Sequence, residues 1–247
     1  MMTQQTLSKL KELKLLGMAD ALQANLGQPA FRSLSFEEQI GILVDSEVSS
    51  RESRRLNRLL KVAKLRYPSA CLEDVDFRES RGLEKGLFAV LTICDWVRQC
   101  RHIIFTGATG TGKSWVACAL AVQGCRLGLS AIYRSSSQIA EEIIIAEATG
   151  SLPQLKGRLV KAAILVIDDL GLMPFDALVA RTLFSIVDER DRLRTGPLVI
   201  TSQYPTDNWY SLLGDPTVAD AILDRIVHSA HHIHLNGDSM RKSRAKD

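Results

Sequence analysis

The feature that most constrains this chain is the octapeptide GATGTGKS at residues 107–114, which fits the pattern G-x-x-x-x-G-K-[S/T] at every position. An apolar run, residues 102–106, comes directly before it, and helix-forming residues 115–122 follow it. A phosphate-binding loop of this type needs a strand before it and a helix after it. The sequence therefore predicts a strand, a loop and a helix that together hold a nucleotide, whereas a glycine-rich turn that merely caps a buried helix is the alternative.

Each residue type in this loop has a physical role in holding an anion. Glycines let the backbone approach phosphate oxygens closely, because they carry no Cβ. The loop amides and the N-terminus of the following helix direct partial positive charge at the ligand. Lys113 adds a full charge on the outer phosphates, and the Ser114 hydroxyl is a predicted Mg²⁺ ligand. The predicted nucleotide-binding residues are Gly107, Ala108, Thr109, Gly110, Thr111, Gly112, Lys113 and Ser114.

Strand-like apolar runs alternate with helical segments from about residue 68 onward. Such alternation predicts an α/β fold, in which a parallel sheet carries helices on both faces. The predicted strands cover residues 102–106, 130–134, 163–168, 197–202 and 231–235, and the predicted helices cover 83–99, 113–128, 136–149, 152–161, 176–193 and 217–228.

Residues 1 to about 66 have a different character, since their apolar residues recur near helical spacing throughout. Gly17 and residues 27–29 interrupt this pattern and predict breaks between helices. Ser35 and Glu38 have the spacing of a capping box and predict the start of another helix. The predicted organisation is a small all-α domain at 1–67, a nucleotide-binding core at 68–240 and a basic tail at 241–247.

The last part of the helical segment is strongly basic. Of the sixteen residues from 51 to 66, seven are basic and one is acidic. Four arginines repeat at the spacing i, i+3, i+4 and i+7, so they share one helical face. A basic stripe with few acidic neighbours is typical of a surface that binds a phosphate backbone, although a merely solvated face is the alternative. The predicted DNA-binding residues are Arg51, Arg54, Arg55, Arg58 and Lys61.

Composition excludes several other classes of protein. With 46% hydrophobic residues, 24% charged residues and a net charge of +3, the 247-residue chain has the composition of a soluble globular protein. No apolar run approaches the roughly 18–20 residues that cross a bilayer, and the N-terminus lacks the order of a signal peptide. The five cysteines are scattered without a CxxC pair. Buried thiols in a reducing cytoplasm are therefore expected, with no membrane partner.

Two adjacent carboxylates, Asp168 and Asp169, follow the apolar run 164–167. The carboxyl end of a parallel strand faces the crevice in which such sheets bind ligands. Asp168 is therefore predicted to hold the Mg²⁺ that Ser114 also binds, and Asp169 to orient an attacking water as a general base. A pair of helix-capping aspartates at a strand-to-loop turn is the alternative.

Further polar residues follow later strands and helices. Residues 201–203, Thr-Ser-Gln, end a predicted strand, where their side chains would face the γ-phosphate, although strand ends are often polar in any case. Arg225 falls near the end of a helix, where an arginine taken alone usually serves the helix dipole or the surface. His232 and His234 alternate with apolar neighbours, which is typical of a half-buried strand rather than a metal site.

Taken in order, these motifs resemble those of the AAA+ ATPases, and specifically the IstB-type helper ATPases of bacterial insertion sequences, close kin of the DnaC helicase loaders. The resemblance covers nearly the whole chain, and the ordered series is far more discriminating than the phosphate loop alone. It rests on residues 63–68, 72–77, 105–114, 167–171, 200–203, 214–225 and 237–241.

The resemblance implies roles for individual residues. Lys113 and Ser114 occupy the Walker A positions, and Asp168 the Walker B metal ligand. Asp169 stands where AAA+ proteins usually have a catalytic glutamate, so its shorter carboxylate implies slow or assembly-dependent hydrolysis. Gln203, with Ser202, is similar to sensor 1, and Arg225 is similar to an arginine finger that reaches the ATP of a neighbouring subunit. Arg241 is similar either to a sensor 2 residue or to part of a partner contact.

The same resemblance implies a function. A protein of this kind uses ATP and Mg²⁺, forms a homo-oligomer on double-stranded DNA and helps a transposase select and capture its target site. Contacts to phosphates rather than base edges would make DNA binding largely sequence-independent, and hydrolysis is expected to be DNA-stimulated. The alternative is a DnaC-like replicative helicase loader. A small-molecule kinase or a GTPase is disfavoured. The chain shows no N-K-x-D guanine motif, and the Asp-Asp strand end and the Asp-Arg helix end fit ATP hydrolysis between subunits better. Only 22 residues follow Arg225, too few for a helical lid.

Overall fold

The computed structural model describes residues 2–78, 81–172, 174–212 and 216–240. Arg241 and the predicted basic tail at 241–247 lie outside the described residues. The chain forms two compact units, Met1–Arg58 and Leu59–Asp247, whereas the sequence predicts a boundary after residue 67. The difference arises because one helix runs through the boundary and its last residues, such as Ala63, are buried.

The N-terminal unit is built from helices, as the sequence predicts. Helix α1 covers Met2–Glu12, α2 covers Leu16–Asn25, α3 covers Pro29–Arg32 and α4 covers Phe36–Ala63. The capping box is confirmed at the start of α4, where the Ser35 amide donates to Glu38 Oε2 over 2.8 Å and the Glu38 amide donates to Ser35 Oγ over 3.3 Å. Two backbone amides at the N-terminal end of α4 thus gain acceptors.

The prediction that Gly17 breaks a helix is wrong. Gly17 lies inside α2, and the chain reverses earlier, at Lys14, which has a φ of +60°. A Cβ on Gly17 would lie 2.7 Å from the Cα of Glu47 on α4. Glycine is therefore present at this position because two helix backbones approach closely, and not because the helix ends.

The second unit contains a five-stranded, fully parallel sheet in the order β2-β3-β4-β1-β5. The predicted fold class is confirmed, and every strand end lies within two residues of its predicted position. The strands are β1 Ile103–Gly107, β2 Ala131–Ser135, β3 Ile164–Leu170, β4 Leu198–Ser202 and β5 His231–Leu235. In this order the strand that precedes the glycine-rich loop lies between two others, with its carboxyl end at the ligand-binding edge.

Helices cover both faces of this sheet. Helix α7 packs on one face, where Gly124 approaches Ile164, and α8, α10 and α12 share a core with Leu165 and Ile167 on the other face. The helices of this unit are α5 Lys85–Thr92, α6 Asp95–Arg98, α7 Lys113–Arg126, α8 Ser136–Ala148, α9 Leu152–Lys161, α10 Ala177–Leu193, α11 Trp209–Leu212 and α12 Pro216–Val227, with 3₁₀ turns at Leu72–Asp74 and Thr206–Asn208.

The prediction of one continuous helix over residues 83–99 is wrong. The chain leaves the helical conformation at Cys94, which has a φ of +60°, so α5 and α6 are separate helices. The Trp96 indole donates to the carbonyl of Leu91 over 3.0 Å and fixes the bend. Burial of Trp96 and Leu91 outweighs the intrinsic preference of this apolar run for a single helix.

Arg190, on α10, holds the end of α9 and the residues just before β4 together. The residue is 2% exposed. Its guanidinium donates at 2.7–3.0 Å to the carbonyls of Leu159, Val160, Ala162, Gly196 and Pro197. Burial lowers its pKa to about 10. Nearby, burial lowers the pKa of His102 to about 4, and its neutral Nδ1 accepts from the Leu198 amide. The Arg190 contacts satisfy carbonyls, and the His102 contact an amide, that would otherwise be buried without partners.

None of the helices in the described part of the chain is long and apolar enough to cross a membrane.

Candidate nucleotide site

The glycine-rich loop has the context that the sequence predicts. Strand β1 ends at Gly107 and α7 begins at Lys113, so the loop leads directly from a strand into a helix. Gly107 has a φ of +138°, and a Cβ at this position would collide with the carbonyl oxygen of Leu235. Gly112, the N-cap of α7, has a φ of +96°. Both positions therefore require glycine, and the loop backbone is held in one conformation.

Lys113 extends back along the loop that precedes it. Its ammonium group donates to the carbonyls of Gly107 and Ala108 over 2.7 and 2.8 Å, and its side chain is buried. The next residue, Ser114, lies in the first turn of α7 and lines the same cavity as the loop. A full positive charge, the amides at a helix N-terminus and a hydroxyl are thus gathered within a few residues.

Arg81 stabilises the loop from outside the motif. Its guanidinium donates to the carbonyl of Thr111 over 2.7 Å and to that of Asp76 over 2.9 Å. On the other side, the amide of Met240 donates to the carbonyl of Gly110 over 2.9 Å. The sequence predicts none of these contacts and no role for Arg81, because the contacts join parts of the chain that are far apart.

Asp168, at the end of β3, is fully buried and held by two hydroxyl groups. Thr201 Oγ1 donates to its Oδ1, and the Tyr133 hydroxyl donates to its Oδ2, each over 2.5 Å. Burial, together with this hydrogen bond to Asp168, raises the pKa of Tyr133 well above its usual value, so the phenol keeps its proton and acts as a donor. The two hydroxyls fix the orientation of the carboxylate, as partners of metal ligands commonly do.

Asp169 has the unusual backbone geometry of a bulge. Its φ is +56°, and the pairing of β3 with β4 shifts register between Ile167 and Leu170. The Asp169 amide donates to Thr201 Oγ1 over 2.9 Å, and its carbonyl accepts from Ser136 Oγ over 2.8 Å. The bulge therefore turns two consecutive carboxylates toward different surroundings: Asp168 is buried, while the Asp169 side chain is 23% exposed and lines the cavity.

Arg66 lies beside both carboxylates. Its NH1 atom is 3.7 Å from Asp168 Oδ2 and 3.6 Å from Asp169 Oδ2, and its guanidinium lies 5.7 Å from the centre of the Tyr67 ring. Arg66 belongs both to the basic segment and to the motif series at residues 63–68, but the sequence predicts no role for it at the acidic residues. These partners lie about a hundred positions away in the chain.

A cavity of about 370 Å³ lies beside these groups. It is lined by residues of the glycine-rich loop and the start of α7, by Asp169 near the end of β3, by Gln203 just after β4, and by the segment between α4 and α5. From that segment come Arg66, Tyr67, Asp74, Asp76 and Arg81. The volume lies within the range usual for small-molecule and cofactor sites.

The three polar residues that end β4 and follow it have different environments. Gln203 lines the cavity, whereas Thr201 and Ser202 are fully buried. Ser202 Oγ donates to the carbonyl of Leu170 over 2.7 Å and accepts from the Tyr204 amide. Thr201, which the sequence analysis did not separate from its neighbours, bridges the two acidic residues through Asp168 Oδ1 and the Asp169 amide.

Arg225 lies on α12 beside α10. Its NH2 atom donates to Asp188 Oδ1 over 2.8 Å, and its guanidinium lies 5.1 Å from the centre of the Phe184 ring. Among the described residues, those that line the cavity at the loop do not include Arg225. Within one subunit this arginine is therefore separate from the predicted phosphate site.

The basic residues of α4 are exposed, but part of their charge is compensated. Arg51 Nε lies 2.6 Å from Glu47 Oε1, and Arg54 NH2 lies 3.4 Å from the same atom. Glu47 is buried, and its other oxygen accepts from the amides of Gly17 and Met18 at the start of α2. Glu47 lies just before the basic segment at residues 51–66, one helical turn from Arg51, so the segment taken alone does not reveal this pairing. Arg51, Arg54, Arg55, Arg58 and Lys61 all remain exposed.

The histidines near the C-terminus belong to a half-buried strand, as predicted. In β5, Ile233 and Leu235 are buried, while His232 and His234 are exposed. His234 Nδ1 lies 2.9 Å from Thr106 Oγ1 on β1. The alternation follows from the edge position of β5 in the sheet, where each side chain points to the opposite face from its neighbour.

The residues that line the cavity, together with the buried Asp168 beside it, fit a nucleoside triphosphate with a divalent cation. Lys113 and the glycine-rich backbone supply positive charge and amide donors, which suit a polyphosphate. Ser114 supplies a hydroxyl oxygen and Asp168 a carboxylate, which are hard oxygen ligands of the type that Mg²⁺ prefers. Each oxygen of Asp168 has a second lone pair besides the one that accepts from Tyr133 or Thr201.

Solved structures confirm the fold of the second unit. The chain superposes on the crystal structure of DnaI with a TM-score of 0.58, at 18% identity, covering 74% of this chain and 98% of that one. The DnaC helicase loader gives 0.55, at 17% identity, covering 69% and 99%. AMPPCP-bound DnaA from Aquifex aeolicus gives 0.58, at 16% identity and 72% of this chain, which spans 55% of the longer DnaA chain. At such identities the likeness concerns the fold alone.

Sequence relatives match over a larger part of the chain. A protein of insertion sequence IS1162 from Pseudomonas fluorescens, named for ATP binding, is 44% identical over 206 residues, or 83% of this chain and 88% of that protein. An insertion-sequence protein of Sinorhizobium fredii, likewise named for ATP binding, is 37% identical over 100% of this chain and 99% of its own length. The family model described as IstB-like ATP binding protein matches residues 8–247. The chain therefore belongs to the family of IstB-like ATP-binding proteins.

Proposed function

We propose that this protein is an ATPase that assembles as a homo-oligomer on duplex DNA and assists the transposase of an insertion sequence in selecting and capturing target DNA. The observation that carries the proposal is that the glycine-rich loop, Lys113 and the carboxylate of Asp169 line one cavity. That arrangement supplies both a place for the phosphates and a base beside them. The relatives that match nearly full length are insertion-sequence proteins, which favours transposition over helicase loading.

In the proposed reaction, each residue in or beside the cavity has a distinct task. Lys113 and the loop amides bind the outer phosphates, and Ser114 and Asp168 hold Mg²⁺. When bound, the cation neutralises charge that develops on the phosphate oxygens. Asp169, which is exposed to the cavity, accepts the proton of the attacking water, and Gln203 orients that water. The aspartate in place of a longer carboxylate makes slow hydrolysis by a single subunit the expected behaviour.

Arg225 is the residue that we expect to link ATP hydrolysis to assembly. A guanidinium stabilises transition-state charge only when it reaches the phosphates, and Arg225 lies on α12, away from the cavity of its own subunit. We therefore expect it to act on the nucleotide of a neighbouring copy. Its contacts with Asp188 and Phe184 would hold the side chain in a defined orientation for that purpose.

The proposal assigns DNA binding to the exposed basic residues of α4. Arg51, Arg54, Arg55, Arg58 and Lys61 supply cations at helical spacing, and side chains of this type bind phosphates without reading bases. The binding of duplex DNA is therefore expected to be largely independent of sequence and to weaken as salt rises.

Sedimentation velocity with Mg²⁺-ATP and duplex DNA tests the proposal directly. The wild-type protein should assemble into large complexes only when both are present. Lys113→Ala should weaken ATP binding by at least about a hundredfold in calorimetry and should abolish assembly, because the loop loses its full positive charge. Lys161→Ala, an exposed residue at the end of α9, is the matched control. A wild-type protein that stays monomeric under these conditions contradicts the proposal.

A further inference from the structure

Arg66 lies beside Asp168 and Asp169, the two acidic residues near the end of β3. Its NH1 atom lies 3.7 Å from Asp168 Oδ2 and 3.6 Å from Asp169 Oδ2. We propose that Arg66 is an electrostatic brake that opposes divalent metal binding at Asp168 and must move aside before Mg²⁺-ATP occupies the site fully. This inference rests on the proposed ATPase function of the same cavity.

The position of Arg66 relative to the cavity supports this role. Asp168 is 0% exposed, and among the described residues it does not line the cavity. Arg66 does line the cavity, as does Asp169. Arg66 therefore contacts both the cavity and the more deeply buried carboxylate. A cation bound at Asp168 would lie close to the positive charge of Arg66.

The charges of these three groups explain why Arg66 would oppose metal binding rather than favour it. Asp168 and Asp169 carry two negative charges when ionised, and the guanidinium already neutralises part of them at less than 4 Å. A divalent cation bound to Asp168 would be close to a fixed positive charge in a partly buried site, where screening by water is weak. The positive charge of an arginine beside a carboxylate repels a proton and so lowers the affinity of the carboxylate for protons. The same charge repels a metal ion and lowers the affinity of the carboxylate for that ion.

The side chain of Arg66 is exposed enough to move away from the two carboxylates. Its side chain is 42% exposed, and its guanidinium lies 5.7 Å from the centre of the Tyr67 ring, which also lines the cavity. An aromatic face attracts a guanidinium, so contact with Tyr67 offsets part of the loss of the carboxylates. The preceding Leu65 is buried and anchors the backbone, so the proposed movement is confined to the side chain of Arg66.

Calorimetry of ATP binding to the full chain, in excess Mg²⁺ and separately in EDTA, tests the brake. Arg66→Gln removes the charge while keeping a polar side chain of similar reach. We expect this variant to bind ATP at least about tenfold more tightly than wild type in Mg²⁺, since a neighbouring arginine shifts carboxylate affinities by about that much or more. Its affinity in EDTA should not rise. In the double variant Arg66→Gln/Asp168→Asn the gain should disappear.

Two further variants separate the brake from other roles. Arg126→Gln removes an arginine of similar exposure, 41%, that pairs with Glu73, and it should leave both affinities unchanged. Arg66→Met provides a second charge-free variant should the glutamine variant fold poorly. If Arg66 instead binds the phosphates, both variants at this position will bind Mg²⁺-ATP more weakly, and the brake is refuted. Unchanged affinity in Mg²⁺ refutes it as well. A wild-type protein that binds no ATP in either condition refutes the proposed function itself.

Discussion

Both units of the molecule bury a charged side chain that binds backbone groups, but the surroundings of the two charges differ. In the second unit, Arg190 is 2% exposed and donates to five carbonyls among apolar helices. In the N-terminal unit, Glu47 accepts from two amides of α2, and its other oxygen accepts from Arg51, whose side chain is 60% exposed.

The comparison shows that structural and functional roles are separate in one unit and overlap in the other. Among the described residues, those that line the cavity do not include Arg190, so this structural contact of the second unit is separate from the proposed nucleotide site. Arg51 and Arg54 pair with Glu47 and also belong to the proposed DNA-binding surface. A substitution on α4 therefore changes stability and binding together unless it avoids these pairs.

The largest effect is expected at Arg190. Arg190→Met leaves five buried carbonyls without their donor, which should lower the free energy of unfolding by about 3–5 kcal/mol. Chemical denaturation monitored by circular dichroism measures this change. Arg192→Met, two residues later on the same helix and 67% exposed, is the matched control and should change stability by less than about 0.5 kcal/mol. Equal effects of the two substitutions would show that the buried guanidinium is not what joins α9, α10 and β4.

The frame that Arg190 stabilises was largely predictable from the sequence, because it depends on local patterns. The glycine-rich loop, the five apolar strands and the capping box at Ser35 and Glu38 each involve residues within a few positions of one another. Parallel topology then follows from the alternation of strands and helices. The burial pattern of β5 also follows from alternation within five residues.

The parts that sequence reasoning missed depend on contacts between distant residues. Gly17 was interpreted as a helix break, although it allows α2 to approach α4 closely. Tyr133 and Thr201 hold Asp168 from two neighbouring strands, and Arg66 reaches it from the segment after α4. No local pattern distinguishes a tyrosine in one buried strand as the partner of an aspartate in the next. Tertiary structure alone brings these side chains together.

The next effect concerns turnover. Arg225→Ala should retain ATP binding but lose DNA-stimulated hydrolysis by about a thousandfold, the usual contribution of an arginine supplied by a neighbour. Phosphate release with and without duplex DNA measures this loss. Arg181→Ala, an exposed arginine on α10 that donates to the carbonyl of Ala177 in its own helix, is the control.

Mixing the Arg225 variant with Asp169→Asn distinguishes action between subunits from action within one. Each variant lacks a different half of the proposed interface, so a mixed oligomer contains some intact sites and should regain part of the activity. Activity that stays at the level of the separate variants would argue that Arg225 serves only its own subunit, through Asp188.

A smaller effect is expected for DNA binding by α4. Arg55→Ala/Arg58→Ala removes two exposed cations while leaving both pairs with Glu47 intact. The slope of log K against log salt should flatten by about 2 units, which fluorescence anisotropy with labelled duplex DNA measures. Arg98→Ala/Arg192→Ala, exposed arginines of the second unit, should leave the slope unchanged. If the control flattens the slope equally, α4 is not the specific contact surface.

The smallest effect is expected at Glu47, where the overlap of roles is tested most directly. The Arg51 side chain that donates to Glu47 holds the pKa of this carboxyl below its usual value of 4.5. Because the pKa is lower in the folded state, the ionised group stabilises the protein above pH 4.5, and the stabilisation is lost as the pH falls through the folded pKa. Glu47→Gln should therefore lower the Tm by about 2–4 °C at neutral pH and remove this part of the acid dependence. Glu52→Gln, at an exposed residue of the same helix, is the control.

DNA binding by the same variant, measured well below its Tm, tests whether Glu47 has a second role. If Glu47→Gln weakens DNA binding, then Glu47 positions Arg51 and Arg54 for the phosphates. If only the Tm changes, its role is confined to joining α2 and α4.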